Sequence, residues 1–180
     1  MRVVAGSAKG RRLQSPEGRT IRPTGDRVRE AIFDMLGSLD VVEGRKVVDL
    51  FAGTGALGIE ALSRGASTAT FVEEDQAALD VLRTNLVITG LYARATVVKA
   101  DVSDWVASAP PADVALVDPP YVFDGWPALL GALAAGLAVL ESDRELDVGP
   151  AWRVRKEKRY GGTVVTLVEP APPTDAERHA

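Results

Sequence analysis

Lys46-Val47-Val48-Asp49-Leu50-Phe51-Ala52-Gly53-Thr54-Gly55-Ala56-Leu57-Gly58 is the stretch on which the fold turns. Its first six residues form a mostly apolar, β-branched run of strand length. Three glycines follow at the spacing Gly-x-Gly-x-x-Gly. Beyond them Leu57, Ile59, Ala61 and Leu62 predict a helix over residues 56–64. Strand, glycine turn and helix make the first half of a βαβ unit. Such a turn brings backbone N–H groups close to a ligand, and an acid at the end of the next strand can hold two ribose hydroxyls. Glu73, twenty residues after Gly53, ends the apolar run Ala69-Thr70-Phe71-Val72. The pattern alone suits either a dinucleotide-dependent dehydrogenase or an S-adenosylmethionine-dependent methyltransferase.

The alternation continues outward. Residues 95–98, 113–117 and 137–140 read as further strands, with helices over 76–86, 102–107 and 126–135. This predicts a mostly parallel sheet with helices on both faces. Residues 151–158 and 163–168, joined across Tyr160-Gly161-Gly162, predict an antiparallel hairpin closing one edge, for seven strands in all. Upstream, Val28, Ile32, Phe33, Leu36 and Leu39 predict a helix capped by Thr24 or Asp26. Val3-Val4-Ala5 and Arg12-Leu13-Gln14 can form a short hairpin around Ser7-Ala8-Lys9-Gly10. The expected organisation is a small basic extension over 1–40 (hairpin and helix), a main α/β domain over 41–169 and a disordered tail over 170–180.

Composition narrows the chemistry. There are no cysteines, and the single histidine is His179 in the polar tail. Thiolate catalysis, disulfides and a histidine-based triad or zinc site drop out, and no metal is expected. No stretch reaches membrane-span length and Met1-Arg2-Val3-Val4 lacks a signal-peptide layout, so a soluble, cytoplasmic monomer is expected. The net charge of −4 conceals an asymmetry. Residues 1–30 hold eight cationic and three anionic side chains, a net of +5, and the rest of the chain holds 13 and 22, a net of −9. A basic arm on an acidic body is a footprint of nucleic-acid binding; its plainer reading is a solvated surface segment.

Asp118-Pro119-Pro120-Tyr121 follows the apolar run Val114-Ala115-Leu116-Val117 and so stands where open α/β sheets bind ligands. Its chemistry suits the exocyclic amine of a planar nitrogen base. The lone pair of such an amine is delocalised into the ring. Asp118 can accept one of its hydrogens and the Pro119 carbonyl the other, while Tyr121 can stack on the ring. An Asp-Pro turn leaving a strand explains two of these residues but not the other two. Asp49, within Asp49-x-x-x-Gly53-x-Gly55, opposes a pyrophosphate but suits a cationic methionine moiety. Asp101, after the third strand, can take an adenine amine as well as cap the helix that follows. With no residue set for hydride transfer, these features favour the methyltransferase.

Asp49–Gly55, Glu73, Asp101-Val102 and Asp118–Tyr121 resemble the successive motifs of seven-stranded, Rossmann-like methyltransferases that modify exocyclic amines. Arg2-Val3-Val4-Ala5-Gly6, Lys9-Gly10-Arg11-Arg12-Leu13, Arg22-Pro23-Thr24 and Asp26-Arg27-Val28-Arg29-Glu30 narrow the likeness. Together they resemble the RsmD family, bacterial methyltransferases acting on guanine N2 in 16S ribosomal RNA, over roughly residues 1–168. The resemblance implies S-adenosylmethionine as cofactor, S-adenosylhomocysteine as product and an assembled or partly assembled small ribosomal subunit as partner. It implies cofactor contacts at Asp49, Phe51, Ala52, Gly53, Thr54, Gly55, Glu73, Glu74, Asp101 and Val102. Catalysis falls to Asp118, Pro119, Pro120 and Tyr121. RNA contacts fall to Lys9, Arg11, Arg12, Arg22, Thr24, Arg27 and Arg29. Departures are confined to residues 141–151 and the tail from Pro170.

The rival readings are an adenine-N6 methyltransferase acting on DNA or RNA, a dehydrogenase, and a non-catalytic RNA-binding assembly factor. The tetrapeptide is shared with the first of these. However, the roughly thirty residues between Tyr121 and the closing hairpin leave no room for a separate target-recognition segment.

Overall fold

The apolar runs become the interior of one seven-stranded sheet, seen in a computed structural model that describes residues 1–15 and 26–172. The chain runs α1 (Asp26–Gly37), β1 (Lys46–Leu50), α2 (Ala56–Ser63), β2 (Thr68–Glu73) and α3 (Gln76–Thr89). A 3₁₀ turn (Tyr92–Arg94), β3 (Ala95–Lys99), α4 (Val102–Val106), β4 (Ala112–Val117) and α5 (Trp126–Ala132) follow. β5 (Ala135–Ser142), β6 (Trp152–Tyr160) and β7 (Thr163–Pro170) complete it. The strand order is β3-β2-β1-β4-β5-β7-β6. The first five strands are parallel, and β7 is antiparallel to both β5 and β6. The order reverses between β1 and β4, which places a crevice at their carboxyl ends.

Strand residues alternate between two cores. Val47, Leu116 and Val139 pack with Ile32 and Phe33 of α1, Ile59 of α2 and Leu82 of α3. Val48, Val117 and Leu140 pack with Val102 of α4 and Leu129 of α5 on the other face. Both faces are covered, so the central strands read as continuous apolar runs. Among the described residues, no helix is long and apolar enough to cross a membrane.

The predicted sheet and hairpin are as found, with element ends shifted by up to three residues. The helix expected over 126–135 stops at Ala132, and β5 begins at Ala135 rather than residue 137. Ala112 N–H donates to the Ala134 carbonyl at 3.0 Å and Ala135 pairs with Ala112, so β4 captures residues that small-side-chain patterning left to the helix.

The basic arm makes one isolated antiparallel bridge, Arg2 to Arg12, rather than two strands. Val3, Ala8 and Leu13 are buried in the α1–α2–α3 core. α2 holds the arm through side chains. Glu60, 1% exposed, accepts from Val4 N–H at 2.8 Å and Ala5 N–H at 3.0 Å, and the Ser63 hydroxyl accepts from Ala8 N–H at 2.9 Å. Gly6 lies at φ +81, where a Cβ would fall 1.9 Å from the Ser63 carbonyl oxygen, so only glycine lets the arm approach this closely. Arg22, Thr24 and the tail from Pro173 lie outside the described residues.

Candidate active site

A cavity of about 510 Å³ opens at the carboxyl ends of β1, β2, β3 and β4. The β1–α2 loop supplies Phe51, Ala52, Gly53 and Thr54 to its wall, above Asp49. Glu73 and Glu74 come from the end of β2, Asp101 and Val102 from the start of α4. Asp118, Pro119 and Pro120 come from the end of β4. One cavity thus collects residues from Met1 to Pro120. Gly55 and Tyr121 are not on its wall. Asp75, Ala78 and Ala100 are on it, and sequence reasoning passed them over although they adjoin or closely follow Glu74 and Asp101.

The loop is shaped by backbone constraint. Phe51 has φ +60, a conformation bulky residues rarely adopt. Its ring packs edge-on against Phe123 at 5.1 Å, and the next residue is tied down by Ala52 N–H donating to the Val72 carbonyl at 3.0 Å. Strain of this kind persists where the surroundings over-determine it. Gly55 has φ +80, and a Cβ there would lie 2.1 Å from a Leu82 methyl. At Gly58 a Cβ would lie 2.3 Å from the Phe71 ring, so this glycine serves close helix-to-strand packing.

Two carboxylates organise the cradle. Glu73 accepts from Gly53 N–H through one oxygen at 2.8 Å, and from Glu74 and Asp75 N–H through the other at 2.9 Å each. It is therefore fixed in place against the glycine loop. Asp49, 2% exposed, accepts from Gly58 N–H at 2.8 Å. Burial pushes its pKa well above the ordinary carboxylate range; the Gly58 hydrogen bond opposes this, and the negative charges of Asp118 and Glu73 add to it. A cavity whose buried carboxyl is further loaded by two carboxylates suits a cation and repels a pyrophosphate. That tips the ambiguous glycine pattern away from dinucleotides.

Asp101 caps α4, accepting from Ser103 N–H at 2.7 Å and Asp104 N–H at 3.2 Å while bordering the cavity. After Asp118 the chain makes a tight turn that closes by Phe123 N–H donating to the Pro120 carbonyl at 2.8 Å. The Pro119 carbonyl stays outside that hydrogen bond. Tyr121 stands at the rim, 37% exposed, its hydroxyl 3.1 Å from the Thr163 hydroxyl at the β6–β7 turn. Phe123 is wedged between Phe51 and Trp126, edge-on to both.

Of the predicted RNA contacts, Lys9, Arg11, Arg12 and Arg27 are exposed. Arg29 is not, and this corrects the expectation for it. Its side chain is 1% exposed; it donates to Asp26 at 2.9 Å and to the Arg2 carbonyl, and lies 3.7 Å from Glu60. Its guanidinium is committed to these partners and joins α1, α2 and the arm, and it borders the cavity rather than the outer surface.

Sequence reasoning also missed Asn85. This α3 residue is fully buried, and its amide group accepts from Gln14 N–H at 2.7 Å and donates to the Gln14 carbonyl at 3.2 Å and the Thr54 carbonyl at 3.0 Å. One side chain thereby pins both the arm and the glycine loop. An asparagine inside an otherwise amphipathic helix was the available signal.

Comparison with known proteins agrees with this picture. Residues 1–169 match the family described as Conserved hypothetical protein 95. The chain is 40% identical over 180 residues to Ribosomal RNA small subunit methyltransferase D of Escherichia coli (strain K12), covering 94% of this chain and 89% of that protein. It is 32% identical over 174 residues to the protein of the same name from Haemophilus influenzae, covering 89% of each. A solved structure of the Escherichia coli protein yhhF superposes with a TM-score of 0.84 at 34% identity, covering 94% of this chain and 97% of that one.

Proposed function

We propose, from the premise that this chain belongs to the RsmD family, that it methylates the exocyclic N2 of a guanine in the 16S RNA of the small ribosomal subunit. The carrying observation is that the carboxylate-lined glycine cradle and the Asp118-Pro119 pair open into the same cavity. The cofactor is S-adenosylmethionine, and its product S-adenosylhomocysteine. The residues suit that molecule: Glu73 for ribose hydroxyls, Asp101 for the adenine amine, and Asp49 for the cationic amino-acid end. When bound, S-adenosylmethionine supplies a methyl group already activated by its positive sulfur.

The chain's own residues then act on the base. Exposed Lys9, Arg11, Arg12 and Arg27 hold RNA phosphates, which positions the substrate without reading sequence. The target guanine leaves its stack to reach the cavity. Asp118 and the Pro119 carbonyl each accept one N2 hydrogen out of the ring plane, localising the lone pair toward the methyl. Tyr121, tied at its hydroxyl to Thr163, offers its ring to the base face. Positioning supplies much of the rate, because reactants aligned at contact distance have already lost the freedom that a collision would require. The extra proton leaves after transfer, to water, since an ordinary aspartate is a weak base at neutral pH. A monomer acting on an assembled or partly assembled subunit fits this scheme.

The decisive assay transfers tritium from labelled cofactor to small subunits from cells lacking this enzyme, followed by mapping of the labelled base. Label on N2 of one 16S guanine is expected. Label on an adenine, or on DNA in preference to subunits, would refute the guanine reading.

Asp49 makes a second prediction. With its folded pKa raised, its contribution to stability is complete below the ordinary value near 4 and is lost as pH climbs through the raised folded value. A cationic ligand favours the ionised form, so cofactor binding should release a proton at pH values between the ordinary and the raised one, and tighten as pH rises through that window. Calorimetry in two buffers of different ionisation enthalpy measures this. Asp49→Asn should abolish the proton release; release that persists in the variant would assign it elsewhere.

A further inference from the structure

We propose that the edge strand β6 is a second phosphate-binding surface, which the substrate RNA follows away from the active-site rim. The inference rests on the RNA reading above but uses residues outside the arm and the cavity. β6 reads Trp152-Arg153-Val154-Arg155-Lys156-Glu157-Lys158-Arg159-Tyr160, five cations and one anion in nine residues of a chain with net charge −4. Every residue from Arg153 to Arg159 is exposed.

The cations do not all face the same way, and a bulge sorts them. Val154 pairs with Val168, but Lys156, not Arg155, pairs with Leu167, leaving Arg155 as the extra residue. From there Lys156 opposes Leu167, Lys158 opposes Val165 and Tyr160 opposes Thr163. Leu167 and Val165 belong to the core that buries Val3, Ala8 and Leu13 of the basic arm, and Tyr160 packs against it. The Lys158 ammonium lies 5.2 Å from the centre of the Tyr160 ring, which places both on that face. The bulge therefore directs both lysines to the side of the sheet that carries the arm.

The neighbouring anions are engaged elsewhere. Glu169 lies between Arg153 and Arg155, and Glu157 accepts from the Thr166 hydroxyl at 3.1 Å on the opposite face. Among the described residues, neither lysine makes an ion pair. The two are ~7 Å apart along the strand, within reach of neighbouring phosphates. The surface is also continuous with the site. β6 ends at Tyr160, two residues before Gly162 and Thr163, whose polar groups meet the Tyr121 hydroxyl. Lysines on an edge strand also discourage strand-to-strand association. That task needs charge on the edge, but not a bulge that turns both lysines toward the face carrying the arm.

Affinity for small subunits and for 16S RNA would be measured from 50 to 200 mM salt for the wild-type chain and for Lys156→Glu/Lys158→Glu. A control, Arg45→Glu/Lys46→Glu, makes the same charge change at the opposite, amino-terminal end of β1. Lys156→Gln/Lys158→Gln separates lost contacts from new repulsion. Two lost phosphate contacts should make the salt dependence shallower by about 1.4–1.8 decades per decade. Over that range the wild type should then lose roughly seven- to twelvefold more affinity than the glutamine variant. Cofactor affinity and thermal midpoint should stay unchanged. Equal slopes in wild type and both lysine variants, or an equal loss in the control, would overturn the proposal. No RNA binding by the wild type would instead take down the RNA reading on which it rests.

Discussion

Asp118→Ala should lower methyl transfer at least a hundredfold, and roughly up to a thousandfold, while S-adenosylhomocysteine affinity stays within a few-fold. The range is that for removing one preorganised polar group at the site of charge development. The asymmetry follows from place. Asp118 ends β4 beside Pro119, whereas the glycine loop is held by Glu73 and Asn85, and these bonds survive the substitution. Removing Asp118 also relieves one of the charges acting on Asp49, so cofactor binding should not suffer from lost structure. The loss should appear in kcat and kcat/KM together, as for an interaction made only in the transition state. Single-turnover transfer to small subunits, with calorimetry of the product, is the measurement. Turnover within about tenfold of wild type would remove Asp118 from the chemistry, and collapse of product affinity would move it to the cofactor.

The second large effect is on stability. Glu60→Ala should cost about 3–5 kcal/mol, because it removes one of the two carboxylates beside buried Arg29 and the acceptor of the arm amides. Glu60 also accepts from Arg64 at 2.8 Å and from two arm amides, so one substitution leaves several donors unmet. For a chain of this size the thermal midpoint should drop by roughly 10 °C. Because Val4 and Ala5 lose their acceptor, hydrogen exchange in the arm should rise more than in β4 or β5. A fall under about 3 °C, or uniform exchange, would show that Glu60 does not anchor the arm. Arg11→Ala and Arg12→Ala, at exposed positions, should leave the midpoint in place.

These two residues differ in how visible they were. Asp118 announces itself, because its meaning lies in four consecutive residues after an apolar run. The five parallel strands were equally plain, since strands buried on both faces must be apolar throughout. Arg29 was misread from its charge. It stands three and four residues before Ile32 and Phe33, on the buried stripe of α1, so helical spacing already placed it inward. One carboxylate neighbour, Asp26, is on its own helix; the other, Glu60, lies on another helix, and nothing in either local sequence brings Arg29 and Glu60 together. Asn85 was visible as a polar residue in an amphipathic helix, but its partners were out of reach: its bonds go to the backbone of Gln14 and Thr54, and backbone groups have no sequence signature. The β6 lysines were visible as a charged strand, but the bulge that orients them depends on pairing with β7.

By itself, then, the order of residues determined the sheet and which polar groups gather at the carboxyl ends of its strands, because periodicity and short motifs act within a few residues. Only the packed chain decided which charges face solvent, which are walled in, and how the arm is fastened to the glycine loop. Those outcomes depend on distances between segments far apart along the backbone, and such distances exist only once the sheet has closed around its two cores.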